Sequence, residues 1–321
     1  MTRRRWFKVS AGALGALWLP PANAERRGEV YYLRRKYNFA TRRYYPELYR
    51  QLSAAPFVHT LPVQLLIEKP AEARERAQEY DEALYQRILR HALNPPSLPP
   101  AEDVLAPSWP RLAWKVSLAM EWTHVLHDQL IDILADHRVK DKKTAIDGAL
   151  AYYLNDPLAV TDKPLTVEFM SAFPYSHEFH HAYPRCMGIM MAYHWLQGAQ
   201  YEAMLAPAAE RRRVVEEALA RFRELLRSPP DHFPLTHRAA PTFHELAPEA
   251  GYIFDNLHML HHLAQDILLT EKVRGKRAEL YRLLRLFLKR SASPEWFASG
   301  PQEEPLMPGA VGHRHHAGVN S

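Results

Sequence analysis

The chain has 321 residues, with 41 Lys and Arg against 36 Asp and Glu, and 47% of it is hydrophobic, enough to bury a sizeable core. Four of the basic residues and none of the acids fall in the first 24 positions. The rest is nearly balanced at 37 against 36, so the pI of about 9.2 does not argue for a nucleic-acid partner. Cys186 stands alone, which excludes an internal disulfide, and no CxxCH string is present to attach a c-type haem.

The first element in chain order is a targeting segment. Thr2-Arg-Arg-Arg-Trp-Phe-Lys8 keeps the spacing of the twin-arginine export signal, with Trp6 and Phe7 in its apolar positions. A weakly apolar run over residues 9–19 follows, then Ala22-Asn-Ala24, a small-residue cleavage site. The run is too short to span a membrane. We therefore expect a signal peptide over residues 1–24 and a mature chain that begins at Glu25 without a transmembrane anchor. Its first partner would be the twin-arginine machinery, which carries folded proteins, and its location periplasmic or otherwise exported. A basic arm follows over residues 25–43, then one helical domain over 44–290, and residues 291–321 form a loose tail with His313-Arg-His-His316.

Within the domain the apolar spacing is helical around residues 63–68 and 187–205. Residues 71–93 and 207–227 are amphipathic with many Arg/Glu pairs. Residues 109–136 and 249–270 are long and apolar, and 141–154 and 275–290 close each half. Nothing alternates as a strand does, and 12 Gly with 26 Pro suit helices joined by rigid Pro-rich loops. The expected class is all-α.

The two halves can be laid on each other at an offset of 134. Glu121-Trp-Thr-His124-Val-Leu-His127-Asp128 continues to Asp132-Ile-Leu134, and Asp255-Asn-Leu-His258-Met-Leu-His261-His262 continues to Asp266-Ile-Leu268. Asp81-Glu-Ala-Leu84 matches Glu216-Glu-Ala-Leu219 within one residue, His59 matches His194 within one residue, and Glu68 lies opposite Glu202. So ordered a set of matches predicts an internal duplication, repeat 1 over 44–155 and repeat 2 over 175–290, packed as one pseudo-twofold bundle.

On a helix, Glu121, His124, Asp128 and Asp132 fall on one stripe, as do Asp255, His258, His262 and Asp266, with His127 and His261 one step aside. Trp, Leu, Ile and Met flank these stripes, and acids and imidazoles in apolar company need a metal, a proton partner or each other.

Glu121-x-x-His124 and Asp255-x-x-His258 resemble the paired motifs of ferritin-like di-iron carboxylate proteins, in which Glu-x-x-His projects inward from two helices and single carboxylates from two others. The likeness covers little of the chain, and an Asp replaces Glu in the second motif. It implies a dinuclear iron (or manganese) centre held by Glu121, His124, His127, Asp255, His258 and His261. Glu68 and Glu202 would be the single carboxylates, and His59 and His194 are further candidate ligands. Asp128, Asp132, His262 and Asp266 would orient ligands or relay protons. An enzyme of this kind would oxidise a small-molecule substrate with O2 or peroxide, with Trp122 and an apolar wall excluding water. Ala192-Tyr-His-Trp-Leu-Gln197 and Phe254-Asp-Asn-Leu-His258 look similar to strings in a group of uncharacterised exported bacterial helical proteins, a likeness that implies no activity.

Other readings compete. Cys186, Met190 and His194 share a helical face beside Met187 and Met191, a soft donor set that would suit Cu(I) in a carrier without catalysis. Haem held between His124 and His258 is a second carrier reading, and a buried polar network that only fixes packing is a third. His177-Glu178-Phe-His180-His181 reads as a helix start or as a support to the site.

Overall fold

The computed structural model describes residues 39–230 and 232–290; the signal-like segment 1–24, most of the basic arm and the tail 291–321 lie outside them. The described chain is all-helical, 74% helix with no strand, apart from an isolated bridge between Val160 and Leu288. In order come α1 (Ala40–Tyr44), α2 (Pro46–Leu52), α3 (Ala55–Glu68), α4 (Pro70–Glu75), α5 (Ala77–Leu93), α6 (Glu102–Leu105), α7 (Ser108–Ala135) and α8 (Lys142–Leu154). Then follow α9 (Val167–Ser171), α10 (Glu178–Ala182), α11 (Pro184–Leu205), α12 (Arg211–Leu225), α13 (Thr236–Ala239), α14 (Pro241–Leu246), α15 (Pro248–Leu269) and α16 (Lys276–Phe287).

Proline opens α2, α4, α11, α14 and α15, where its missing N–H would have had no helical partner. The core is built on α3, α7, α11 and α15: α3 packs against the other three, and α7 packs against α11 and α15. From residue 253 to 269 every position of α15 is buried, so its polar side chains must be satisfied inside the protein. The outer helices are amphipathic. Leu280, Leu283, Leu284 and Phe287 of α16 are fully buried, each contributing roughly 1.5–3 kcal/mol.

Several features recur 134 residues apart. Ala113 (φ −148°, ψ 66°) breaks α7 after its first turns, and Ala247 (φ −146°, ψ 69°) separates α14 from α15. Ala106 ends α6 as Ala240 ends α13, both with ψ 66°. Lys142 Nζ donates to the carbonyls of Ile133 and Asp136 at the end of α7; Lys276 Nζ donates to those of Ile267 and Thr270 at the end of α15. The recurrence is incomplete: α11 is unbroken, whereas the chain 134 residues earlier is interrupted at Ser53 and Ala54 between α2 and α3.

Phe39 (φ 59°) and His177 (φ 68°) are the positive-φ non-glycine residues of the described chain, a conformation that needs outside support. They stand at the N-caps of α1 and α10. In the first, Thr41 N and Oγ1 donate to Asp132 (2.8 Å each); in the second, His177 N (3.1 Å) and Phe179 N (2.7 Å) donate to Asp266. These two acids therefore hold helix starts rather than orienting metal ligands. The arm is also shorter than expected, because α1 lies within it and is fastened to α7 through Asp132.

Candidate metal centre

Three histidines from three core helices meet: His59 on α3, His124 on α7 and His261 on α15. One ring nitrogen from each lies within 4.8 Å of the others. His59 and His261 are buried, and neither ring nitrogen of either residue has a hydrogen-bond partner. Their rings stack at 4.1 Å between centroids, and His261 lies 5.3 Å from His124.

His124 also belongs to a second group, with Glu102 and Glu121, whose ligand atoms again lie within 4.8 Å of one another. Glu102 arrives from α6, the short helix that ends the Pro-rich loop, and its carboxylate lies 3.2 Å from His124 Nδ1. The side chains of Glu102 and His124 are 13% and 20% exposed, so this end of the site reaches solvent while the His59–His261 end does not.

The charges follow from these contacts. Burial holds His59 down to about 3, and also pushes His261, His194 and His258 well below the usual imidazole range. All four are neutral, the form that ligates metals. Burial works against a charge on His124 as well, yet the Glu102 carboxylate outweighs it and raises the imidazole. In the same way burial opposes ionisation of Glu102, and His124 overrides it to hold the carboxyl low. Glu121, raised first by burial and then by Glu102, keeps its proton.

The residue types fit a first-row transition metal. Bonds of about 2.0–2.2 Å from imidazole and carboxylate place ligand atoms up to about 4 Å apart across the ion, a small contraction from the separations here. Buried imidazoles without partners otherwise remain costly.

The remaining sequence-derived candidates lie elsewhere. Glu68 takes part with Gln64 and Ser108 at the start of α7, and Glu202 accepts from the amides of Thr242 and Phe243 at the start of α14. Both are helix-start ligands on the outside of the bundle and do not join the histidines. Asp255 accepts from Thr236 N (2.8 Å) and Oγ1 (2.7 Å), which occupies it at the start of α13. His258 donates to Gln197 Oε1 (3.0 Å) and stacks on His194 at 3.6 Å; Gln200 Nε2 donates to His127 Nε2 (2.7 Å). His262 is buried against His194 and Phe233, and Asp128 is exposed (62%). The symmetric dinuclear arrangement is therefore not assembled, because the second acid–His motif is engaged with its own neighbours.

Trp122 turns from the site to donate to the Tyr153 carbonyl and stack on that ring, so it walls the α8 side instead. The copper set does not converge. Cys186 and His194 are eight residues apart on one unbroken helix, about 12 Å along its axis, and the Cys186 thiol points to the Asp81 carbonyl of α5. Haem ligation fares no better, since His258 lies face to face with His194 and His124 is paired with Glu102. His177 opens α10, in accord with a helix start; the cluster His313–His316 lies outside the described residues.

Glu102 escaped the sequence reading. The signal for it was positional: it stands 134 residues before Thr236, in a loop that returns over the acid–His helix.

No family model, curated protein or solved structure matches this chain. Among the described residues no helix is long and apolar enough to cross a membrane.

Proposed function

We propose that this chain is an exported metalloprotein whose metal is held by His59, His124 and His261, with Glu102 and Glu121 as the adjoining carboxylates. The observation that carries the reading is the pair of buried imidazoles, His59 and His261, unpartnered at every ring nitrogen beside an imidazole–carboxylate pair. The ligand chemistry favours iron or manganese: His59 and His261, with His124 once it yields its proton and a carboxylate, would hold such an ion, which would supply oxidation chemistry with O2 or peroxide. Oxidation of a small substrate admitted past Glu102 is the activity that follows.

The chain's own residues divide the work. His59 and His261 anchor the ion from the dry side of the bundle, and the apolar packing of α3 and α15 keeps bulk water from them. Glu102 supplies negative charge from the solvent side, and Glu121 holds a proton next to it.

The architecture we read as an internal duplication around a pseudo-twofold axis, repeats 44–155 and 175–290. Support comes from the paired breaks at Ala113 and Ala247, the paired lysine caps at 142 and 276, and the paired aspartates that hold α1 and α10. The export signal at residues 1–24 belongs with this reading, since a buried site filled before export suits a route that moves folded proteins.

Elemental analysis and a UV–visible spectrum of mature protein recovered from an exporting host test the proposal. Iron or manganese without a Soret band is expected, lost in His59→Ala/His261→Ala and kept in Asp255→Ala. Wild-type protein free of metal, or a double variant that keeps it, overturns the reading. One observation favours the packing-network alternative for the second set alone: Gln197, Gln200 and Thr236 bond His258 Nε2, His127 Nε2 and the Asp255 carboxylate.

A further inference from the structure

If the two halves are laid on each other, the first-half triad has a counterpart. His59 of α3 corresponds within one residue to His194 of α11; His124 of α7 to His258 of α15; and His261 of α15 to His127 of α7. Each triad thus draws one histidine from α3 or α11, one from α7 and one from α15. Two chemically similar sets in one core nevertheless have opposite fates.

The first set is open, with His59 and His261 unpartnered at both ring nitrogens and His124 beside a carboxylate pair; in the second set His194 and the Nδ1 of His258 are unpartnered too, so the contrast lies in the bonds to Gln197 and Gln200. In the second set His258 gives its Nε2 proton to Gln197, and His127 takes one from Gln200. His127 also packs edge-on against Tyr201 and Phe254. Among the described residues, ring nitrogens of His59, His124 and His261 close to within 4.8 Å of one another, whereas His194, His258 and His127 form no such group, and His258 stacks on His194 at 3.6 Å. The acid is committed too: Asp255 is bonded to Thr236, where the first half has Glu121 facing Glu102.

Both glutamines sit on α11, three residues apart. In the register that pairs Glu68 with Glu202, one residue off the one that pairs His59 with His194, α3 has Val63 and Leu66 at these places, buried side chains that offer an imidazole no hydrogen bond. The hydrogen bonds that distinguish the two triads therefore come from two positions.

We propose that the second half carries a closed copy of the metal site, in which Gln197 and Gln200 pin His258 and His127 away from metal, so that each chain holds one ion and not two. This rests on the metal-site reading above, and it deepens that reading by fixing the stoichiometry and the half that binds.

The test uses metal-stripped mature protein titrated with Co2+ or Zn2+ alone, followed by calorimetry and by the visible absorption of bound cobalt. Wild type should bind about one equivalent; His59→Ala should remove that event and His258→Ala should leave it. Gln197→Val/Gln200→Leu, which places the first-half residues in the second half, should add a second event. That event should be about 10–100-fold weaker, because Asp255 stays with Thr236. Far-UV circular dichroism checks that the helices persist, and the single variants Gln197→Ala and Gln200→Ala give the same readout if the double variant does not fold.

Two wild-type equivalents, one of them lost in His258→Ala, would overturn the closed copy while leaving the first-half site standing. A single equivalent lost in His258→Ala but kept in His59→Ala would overturn the metal-site reading itself. Glutamine variants that fold and gain no second event would remove the pinning role.

Discussion

Replacing Asp132 and Asp266 with asparagine separates a structural role from a catalytic one. Burial raises each carboxyl from 3.8 to about 7, against the opposing pull of the Thr41 bonds in one case and the Phe179 and His177 amides in the other. A carboxyl whose folded pKa lies above its unfolded value binds more protons when folded, so it contributes stability that is fully present below about pH 4 and lost as pH rises through about 7. The loss is about 1.4 kcal/mol per pH unit for each group, up to about 4 kcal/mol across the window. Asparagine does not ionise and, at 132, keeps the one oxygen that receives both Thr41 groups; at 266 it keeps an acceptor for only one of the two amides, which meet separate carboxylate oxygens. Asp132→Asn should therefore match wild type near pH 4 and exceed its stability near pH 8, and Asp266→Asn should show the same relative gain from pH 4 to pH 8, offset throughout by about 1–3 kcal/mol for the lost bond. Asp266→Ala should lose about 2–5 kcal/mol near pH 4, because it strands two amides that hold His177 at positive φ, and this deficit should shrink toward pH 8 as wild type alone is weakened by ionisation. Urea unfolding followed by circular dichroism at several pH values reads all of this. Parallel pH curves for Asn variants and wild type would refute the reasoning and return these acids to a proton-relay role.

Metal at a hundredfold excess over its dissociation constant should stabilise the fold by about 2.7 kcal/mol, and thermal melts of His261→Ala should show none of that shift. Glu102→Gln should weaken metal binding about 10–100-fold while Glu68→Gln leaves it unchanged, as read by competition with a chromophoric chelator. Glu202→Ala should cost about 1 kcal/mol in urea unfolding through the start of α14, with metal content unaltered. Lys276→Met should strand the carbonyls at the end of α15 and destabilise by about 1–3 kcal/mol; hydrogen exchange would locate the loosening at residues 266–270.

The helices themselves were legible because apolar spacing and proline punctuation act locally. Residues 249–270 read as one helix, and α15 spans Pro248–Leu269. The stripe Glu121, His124, Asp128, Asp132 was read as one face with one purpose, but a long helix meets different neighbours along its length. Near its middle that stripe faces α3 and α6, Asp128 meets water, and Asp132 lies beneath α1. The His/carboxylate character of the site was therefore visible and its membership was not. Glu102 depended on the path of a Pro-rich loop, and the diversion of Asp255 depended on Thr236 reaching it first. Gln197 and Gln200 carry no signal in spacing, since an amide on a buried face declares a need without naming its partner.

The paired carboxylates have a consequence for ion valence. Glu102 and Glu121 together can present two negative charges, and the three imidazoles present none once His124 gives up its proton. On the metal-site reading, a doubly charged cation that displaced the Glu121 proton would bring that interior to electrical neutrality, and a triply charged one would demand an extra anion such as hydroxide. A site built this way would sort ions by their charge as well as by their preferred donors.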